Sequence, residues 1–235
     1  MFKGKLIACG ADAKTVKGNG DEYLTAIMYM KPWKVAGYNL CPMAETAGCV
    51  DGCLNSAGRG AFSNVQTARE RKALWFIQDR DGFMAQLIDD IKRFAVYCER
   101  KGVQACVRLN GTSDIRWELI KVNGLNVMEM FPQVQFYDYT KIANRKGIPT
   151  NYHLTWSYSE ASDVYKAQAK IALDNRMNVA VVFRNKHSIP DMFLDRVVVD
   201  GDKDDLRFLD PKAVVVALYA KGKAKKDTSG FVVDV

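Results

Sequence analysis

Tyr152–Phe183, YHLTWSYSEASDVYKAQAKIALDNRMNVAVVF, reads as strand, helix, strand, and the architecture follows from that reading. Tyr152–Ser157 and Asn178–Phe183 carry the β-branched and aromatic residues that suit a pleated surface. Between them Ser159–Asn175 opens polar and then spaces Ala161, Val164, Ala167, Ala169 and Ala172 as a helix does. Strands joined through a helix run parallel. The pattern extends outward, with Gln104–Asn110, Val134–Tyr139 and Ala213–Tyr219 as further strands. Upstream, Tyr23–Tyr29 is a strand ended by Lys31-Pro32, and Cys9-Gly10 belongs to a short early one. Helices are expected from Ser63 or Asn64 as N-cap, and again after a cap at Asp79 or Asp81. In the second, Phe83, Leu87, Ile91, Phe94 and Cys98 form a core stripe, and Gly102 supplies the stop. The expectation is a single α/β domain over 1–235, with a mainly parallel sheet forming a partial or complete (β/α) barrel.

Composition agrees with a globular protein: 48% of the 235 residues are hydrophobic and 26% charged. No apolar run has the length of a signal core or a bilayer span, so the expected setting is cytoplasmic, with no membrane partner. There the six cysteines read as reduced ligands or buried thiols. Much of the net charge of +7 comes from Lys221–Lys226, and the segment 221–235 reads as a solvated basic end. Lys14, Lys17, Gly18, Asn19 and Gly20 read as a polar loop. Asp200–Pro211, DGDKDDLRFLDP, fails as a calcium loop because Gly stands second and Pro twelfth. Arg207 is instead expected to pair locally with its aspartates. His153 and His187 lack ligand-spaced partners and read as core or surface residues.

The chemistry concentrates in 39–60, NLCPMAETAGCVDGCLNSAGRG, where Cys41, Cys49 and Cys53 stand among small and turn-forming residues. A helix starting at Cys49 would place Cys49 and Cys53 on one face. Gly48, Gly52, Gly58 and Gly60 break any sustained apolar period, so these thiols are not an ordinary core stripe. Three thiolates at one turn fit a [4Fe-4S] cluster with one differently ligated iron; structural zinc, usually held by two short pairs, is the rival. Cys9, Cys98, Cys106, a carboxylate, water or a bound cofactor are the candidates for the fourth position.

The strand ends hold a second set of polar residues. Arg108, Asn110 and Asp114 follow the first of the later strands, Asp138 and Lys141 the next, and Glu160 the third. Sites of parallel α/β folds are built there. Arg108, Asn110 and Lys141 are the candidate cofactor-binding residues, and Asp138 and Glu160 join them as catalytic candidates. A cation near the end of a core strand needs an anion, a cluster or a solvated cleft, and a thiolate-ligated cube is a net anion.

The runs CPMAETAGCVDGCLNSAGRG, RLNGTSDIRWE, FYDYTK, NYHLTWSYSE, VVDGDKDDLRFLDP and the C-terminal SGFVV resemble the bacteriophage gene-product-eighty-eight type of protein across most of the chain. The resemblance implies a phage origin, action in the host cytoplasm and, through similarity to radical-SAM-type barrels, a cluster held by Cys41, Cys49 and Cys53 at a barrel mouth. The radical-SAM loop CxxxCxxC is not kept: Ser56 stands where its third cysteine would be, and Cys41 is supplied from upstream. Two functions follow. One is a cluster-dependent enzyme that binds a small molecule or S-adenosylmethionine at the open iron. The other is a non-catalytic, metal-stapled module contacting nucleic acid or a host protein; no nucleic-acid-binding motif stands out for it.

Overall fold

The computed structural model describes residues 4–10, 20, 22–34 and 37–235; the polar loop expected at Lys14, Lys17, Gly18 and Asn19 lies outside them. The chain forms a mixed α/β domain on one ten-stranded sheet. The strands are β1 (Ile7–Cys9), β2 (Tyr23–Met28), β3 (Gln104–Arg108), β4 (Gln135–Thr140), β5 (Tyr152–Ser157), β6 (Asn178–Phe183), β7 (Met192–Phe193), β8 (Arg196–Asp200), β9 (Val215–Tyr219) and β10 (Val232–Val233). Their order is β1-β2-β3-β4-β5-β6-β9-β8-β7, and β10 pairs with β6. The run from β2 to β8 is parallel throughout, while β1 and β7 are antiparallel edges.

The mainly parallel sheet is as expected, but it is open, so the complete barrel is not formed. A barrel needs its first and last strands to pair, and here each end carries a short antiparallel strand.

Helices cover one face. Helices α1 (Ser63–Gln78) and α2 (Arg80–Lys101) bury Phe76, Phe83, Met84, Leu87 and Ile91 against Met28, Val107 and Phe136 of β2, β3 and β4. Asp79 caps α2 by accepting from Gly82 N (2.9 Å), and Gly102 ends it at φ +70°, a left-handed position where glycine has no Cβ penalty. The cap of α1 differs from the expected Ser63 or Asn64. Its N-cap is Phe62, whose carbonyl already accepts from Gln66 N (2.9 Å), because the 3-10 turn Gly58–Ala61 feeds the helix one residue early. A short α3 (Val127–Met130) carries a capping box between Asn126 and Glu129. Helix α4 (Asp163–Asp174), capped by Ser162, covers β5 and β6.

The connection 141–151 from β4 to β5 has no helix. The cysteine segment takes that place in the layer: Cys41, Ala44, Ala47 and Cys49 pack with Ala143, Trp156, Tyr165 and Val181.

The other face carries Thr25, Cys106, Arg108, Tyr137, Tyr139 and His153, by strand parity and register. The aspartate-rich stretch covers it. Phe208 lays its ring against Tyr23 (5.4 Å) and Tyr137 (5.3 Å), and Arg207 donates to Asp204 O (3.0 Å) and Oδ1 (3.1 Å) and pairs with Asp210. Arg108 meets its anion here: its Nη1 lies 2.6 Å from Asp205 Oδ2, and both side chains are buried. Among the described residues Asp205→Ala leaves that guanidinium with Asp138 at 3.8 Å as its remaining carboxylate, so urea unfolding is expected to show a loss of about 3 kcal/mol. A change under about 1 kcal/mol would show that the pair does not hold the cover in place.

Candidate functional site

The cysteine segment is a chain of turns rather than a helix. Ala44 N donates to Cys41 O, Ala47 N to Met43 O, and Cys49 N to Ala44 O. Gly48 sits at φ +64°, which stops helical propagation before Cys49 and corrects the expected helix there. Cys53 instead caps the 3-10 turn Leu54–Ser56, its Sγ accepting from Asn55 N at 3.4 Å.

Polar groups from distant parts of the chain fasten these turns. Ser162 Oγ donates to Thr46 O (2.9 Å), Ser159 Oγ to Ala47 O (2.7 Å) and Ser229 Oγ to Gly48 O (2.8 Å). On the far side Gln66 Nε2 and Arg69 Nη1, both from α1, donate to Asn55 O at 2.6 Å. The C-terminal SGFVV run is thus a strap: Ser229 grips the loop, Gly230 O accepts from Glu160 N (2.8 Å), and Val232–Val233 join β6.

Cys41 and Cys49 are buried and Cys53 half-buried. Each lies within the electrostatic reach of the other two. Burial pushes the Cys41 thiol up to about 12 and raises Cys49, although Lys141 pulls both down. Lys141 itself is half-buried, and its partial removal from water would lower it, yet the Cys49 and Cys41 sulfurs, with Tyr165 and Asp114, hold it well above the ordinary lysine value. The two directions describe one pair. With both thiols protonated at neutral pH, Asp114 is the formal counter-charge acting on Lys141 among the described residues; ionised sulfurs would add negative charge beside the ammonium. Trp156 stacks on Tyr165 (5.4 Å, 16°) in the same packed group, and its buried indole N–H has no hydrogen-bond partner among the described residues.

Of the other expected residues, Arg108 is engaged with Asp205, as above. Asn110 is a turn builder: its Oδ1 accepts from Ser113, Ile115 and Trp117. Asp138 accepts from Leu109 N, Asn110 N and the Tyr152 hydroxyl, and burial pushes it up to about 7 against the pull of Arg108. Glu160 is exposed on the rim, accepting from the Tyr158 hydroxyl at 3.1 Å. Lys141 alone among the five joins the thiols. Cys98 lies on the α2 stripe and is the electrostatic neighbour of both Cys9 and Cys106, and none of the three acts on Cys41 or Cys49. Sequence reasoning missed Trp156, Tyr165 and the grip of the serines on the loop; only the parity of Trp156 along β5 signalled a helix-side position.

Among the described residues no group of three or more His, Cys, Asp or Glu side chains is set to hold a metal ion. No described helix is long and apolar enough to cross a membrane. The family model for Gene product 88 matches residues 5–235, so the chain belongs to that family. No curated protein and no solved structure matches it.

The fastening predicts the effect of Gly48→Ala. A Cβ there would lie 2.6 Å from Ser229 Oγ and 2.7 Å from the Ala161 Cβ, at a φ that already disfavours it. The variant is expected to lose about 2 kcal/mol or more in urea and to speed proteolysis within 41–53 and after Asp227 together. Cleavage confined to one of the two segments would show that strap and loop are not coupled.

Proposed function

We propose that this gene product 88 protein is an iron–sulfur protein that holds a [4Fe-4S] cluster through Cys41, Cys49 and Cys53. The observation that carries the reading is Lys141, a half-buried ammonium placed against the Cys41 and Cys49 thiols, which burial keeps protonated. A cation drawn partly out of water is stabilised by an anion beside it, and three thiolates around a core of charge two-plus supply a net negative charge. The unpartnered Trp156 N–H adds a donor suited to a sulfide or thiolate. Each thiolate of a cube binds its own iron, so the sulfurs need not converge on a single point as a zinc tetrahedron requires.

When bound, such a cluster supplies one-electron chemistry and, at an iron without cysteine, a coordination position for a small molecule, S-adenosylmethionine among them. The chain's own contribution is electrostatic and steric. Lys141 and Trp156 favour added negative charge at the sulfurs, Trp156 and Tyr165 keep water from them, and the strap fixes the turns that carry them.

Protein purified without oxygen is expected to contain iron and sulfide in equal amounts, lost on Cys41→Ser, Cys49→Ser or Cys53→Ser and kept on Cys98→Ala. Zinc without sulfide selects the rival, and full iron in Cys49→Ser removes the assignment. Lys141→Met separates cluster from bare thiols. The loaded variant should release iron to a chelator about tenfold faster than wild type. The metal-free variant should be no less stable than wild type, because an under-compensated half-buried charge has gone. Equal chelation rates in the two proteins would count against the charge argument.

A further inference from the structure

Beside the thiols, and outside the packed group that holds them, lies an open surface cleft of about 290 Å³. Its wall is apolar: Leu40, Pro42, Phe76, Ile115, Ile120 and Ile142 line it. Arg80 and Arg116 also line it and bring positive charge. Arg80 is held in place, its guanidinium 3.7 Å from the centre of the Phe76 ring and its Nε donating to Phe76 O at 2.8 Å. No carboxylate pairs with it among the described residues. Arg116 reaches Glu118 Oε1 only at 3.4 Å, and that carboxylate is already gripped by Arg145 through two hydrogen bonds.

Asp114, the acid in the lining, is spoken for as well. Its Oδ1 accepts from Thr140 Oγ1 (2.8 Å), its Oδ2 from Lys141 N (2.7 Å), and Arg145 stands 3.6 Å away. Three guanidinium groups, of Arg80, Arg116 and Arg145, therefore face two carboxylates, of Asp114 and Glu118. The surplus charge sits at the cleft.

We propose that this cleft binds a small organic carboxylate with an apolar body, its carboxylate held between Arg80 and Arg116 and its body on the Leu40, Phe76 and Ile142 surface. The volume lies at the low end for ligand pockets and matches a single ring or branched chain. Apolar walls with a few placed charges are the usual composition of such sites, and guanidinium groups engage carboxylates with charge-assisted hydrogen bonds. An inorganic anion would leave the apolar wall wet. Leu40 and Pro42 flank Cys41, so a bound carboxylate rests against the main chain that carries the first thiol. The site is independent of any metal at the cysteines.

The test uses the full chain, with phenylacetate as probe, its uncharged isostere phenylacetamide and inorganic phosphate as controls, and ligand-observed saturation-transfer NMR with equilibrium dialysis as readouts. Phenylacetate is expected to bind at millimolar concentration, the amide about tenfold or more weakly, and phosphate without competing. Two variants address the two halves of the site. Arg80→Gln with Arg116→Gln should erase the preference for the acid, and Ile142→Trp, which fills the cleft without touching its charge, should abolish binding of both organic probes. Absence of phenylacetate binding to wild type, equal binding of acid and amide, displacement by phosphate, or unchanged binding in either variant would each overturn the proposal. Because the comparison of acid with amide is made on wild-type protein, a variant that fails to fold leaves it decisive. Cysteine replacements that remove iron but leave phenylacetate binding intact would separate this site from the cluster.

Discussion

The buried carboxylate of Asp114 ties together everything the candidate site needs. Its side chain accepts from Thr140 and from the main-chain N–H of Lys141, fixing the end of β4, while its own N–H donates to Leu40 O, fixing the entry to the cysteine turns. A carboxylate removed from water is tolerated only where donors and cations surround it, and Arg145 supplies the cation. The geometry therefore has a single solution. Lys141 leaves β4 directed at the thiols because its backbone is pinned to the residue that also pins Leu40. The cleft inherits the same constraint, since Leu40, Asp114 and Ile142 all line it.

Much of the sheet was legible because strands and helices differ in period. Tyr152–Ser157 and Asn178–Phe183 occur with the boundaries read from the sequence, and most other strands shift by one or two residues at their ends. What the periodicity could not reveal was closure. Whether a sheet of parallel strands closes depends on its edges, and those edges are short: three residues in β1 and two in β7. The β7–β8 hairpin was invisible for a local reason. Its turn residues Leu194 and Asp195 both sit at positive φ, at 53° and 57°, a conformation the sequence signals usually through Asn or Gly. The strap β10 lacked a signal of its own too, because two residues have no period.

The site was legible in its chemistry and not in its partners. The argument that cations at strand ends need anions applied equally to Arg108 and Lys141, and the structure gives the two different answers. Arg108 finds Asp205, 97 residues away in sequence, on the face covered by the aspartate-rich stretch. Lys141 finds the cysteines on the helical face, about as far away in the other direction. One-dimensional reading has no access to this sorting, since it depends on which face each strand end turns toward once the sheet has assembled. The rejected calcium loop is a related case: its carboxylates compensate Arg108 and Arg207.

A glycine-rich loop has little apolar surface of its own to order it. The observed loop is ordered from outside. Carbonyls of Thr46, Ala47 and Gly48 are each held by a serine hydroxyl, two from the segment entering α4 and one from the C-terminal strap, and Asn55 is held by α1. Hydrogen bonds of this kind add only about 1 kcal/mol each, but they act on successive residues and fix the orientation of the turns. The consequence concerns the thiols more than the fold. Turns fastened from outside hold Cys41 and Cys49 buried, which raises their pKa values and leaves Lys141 under-compensated. The folded chain thus stores its electrostatic imbalance at the sulfurs, where binding an ion or cluster that ionises them would relieve it.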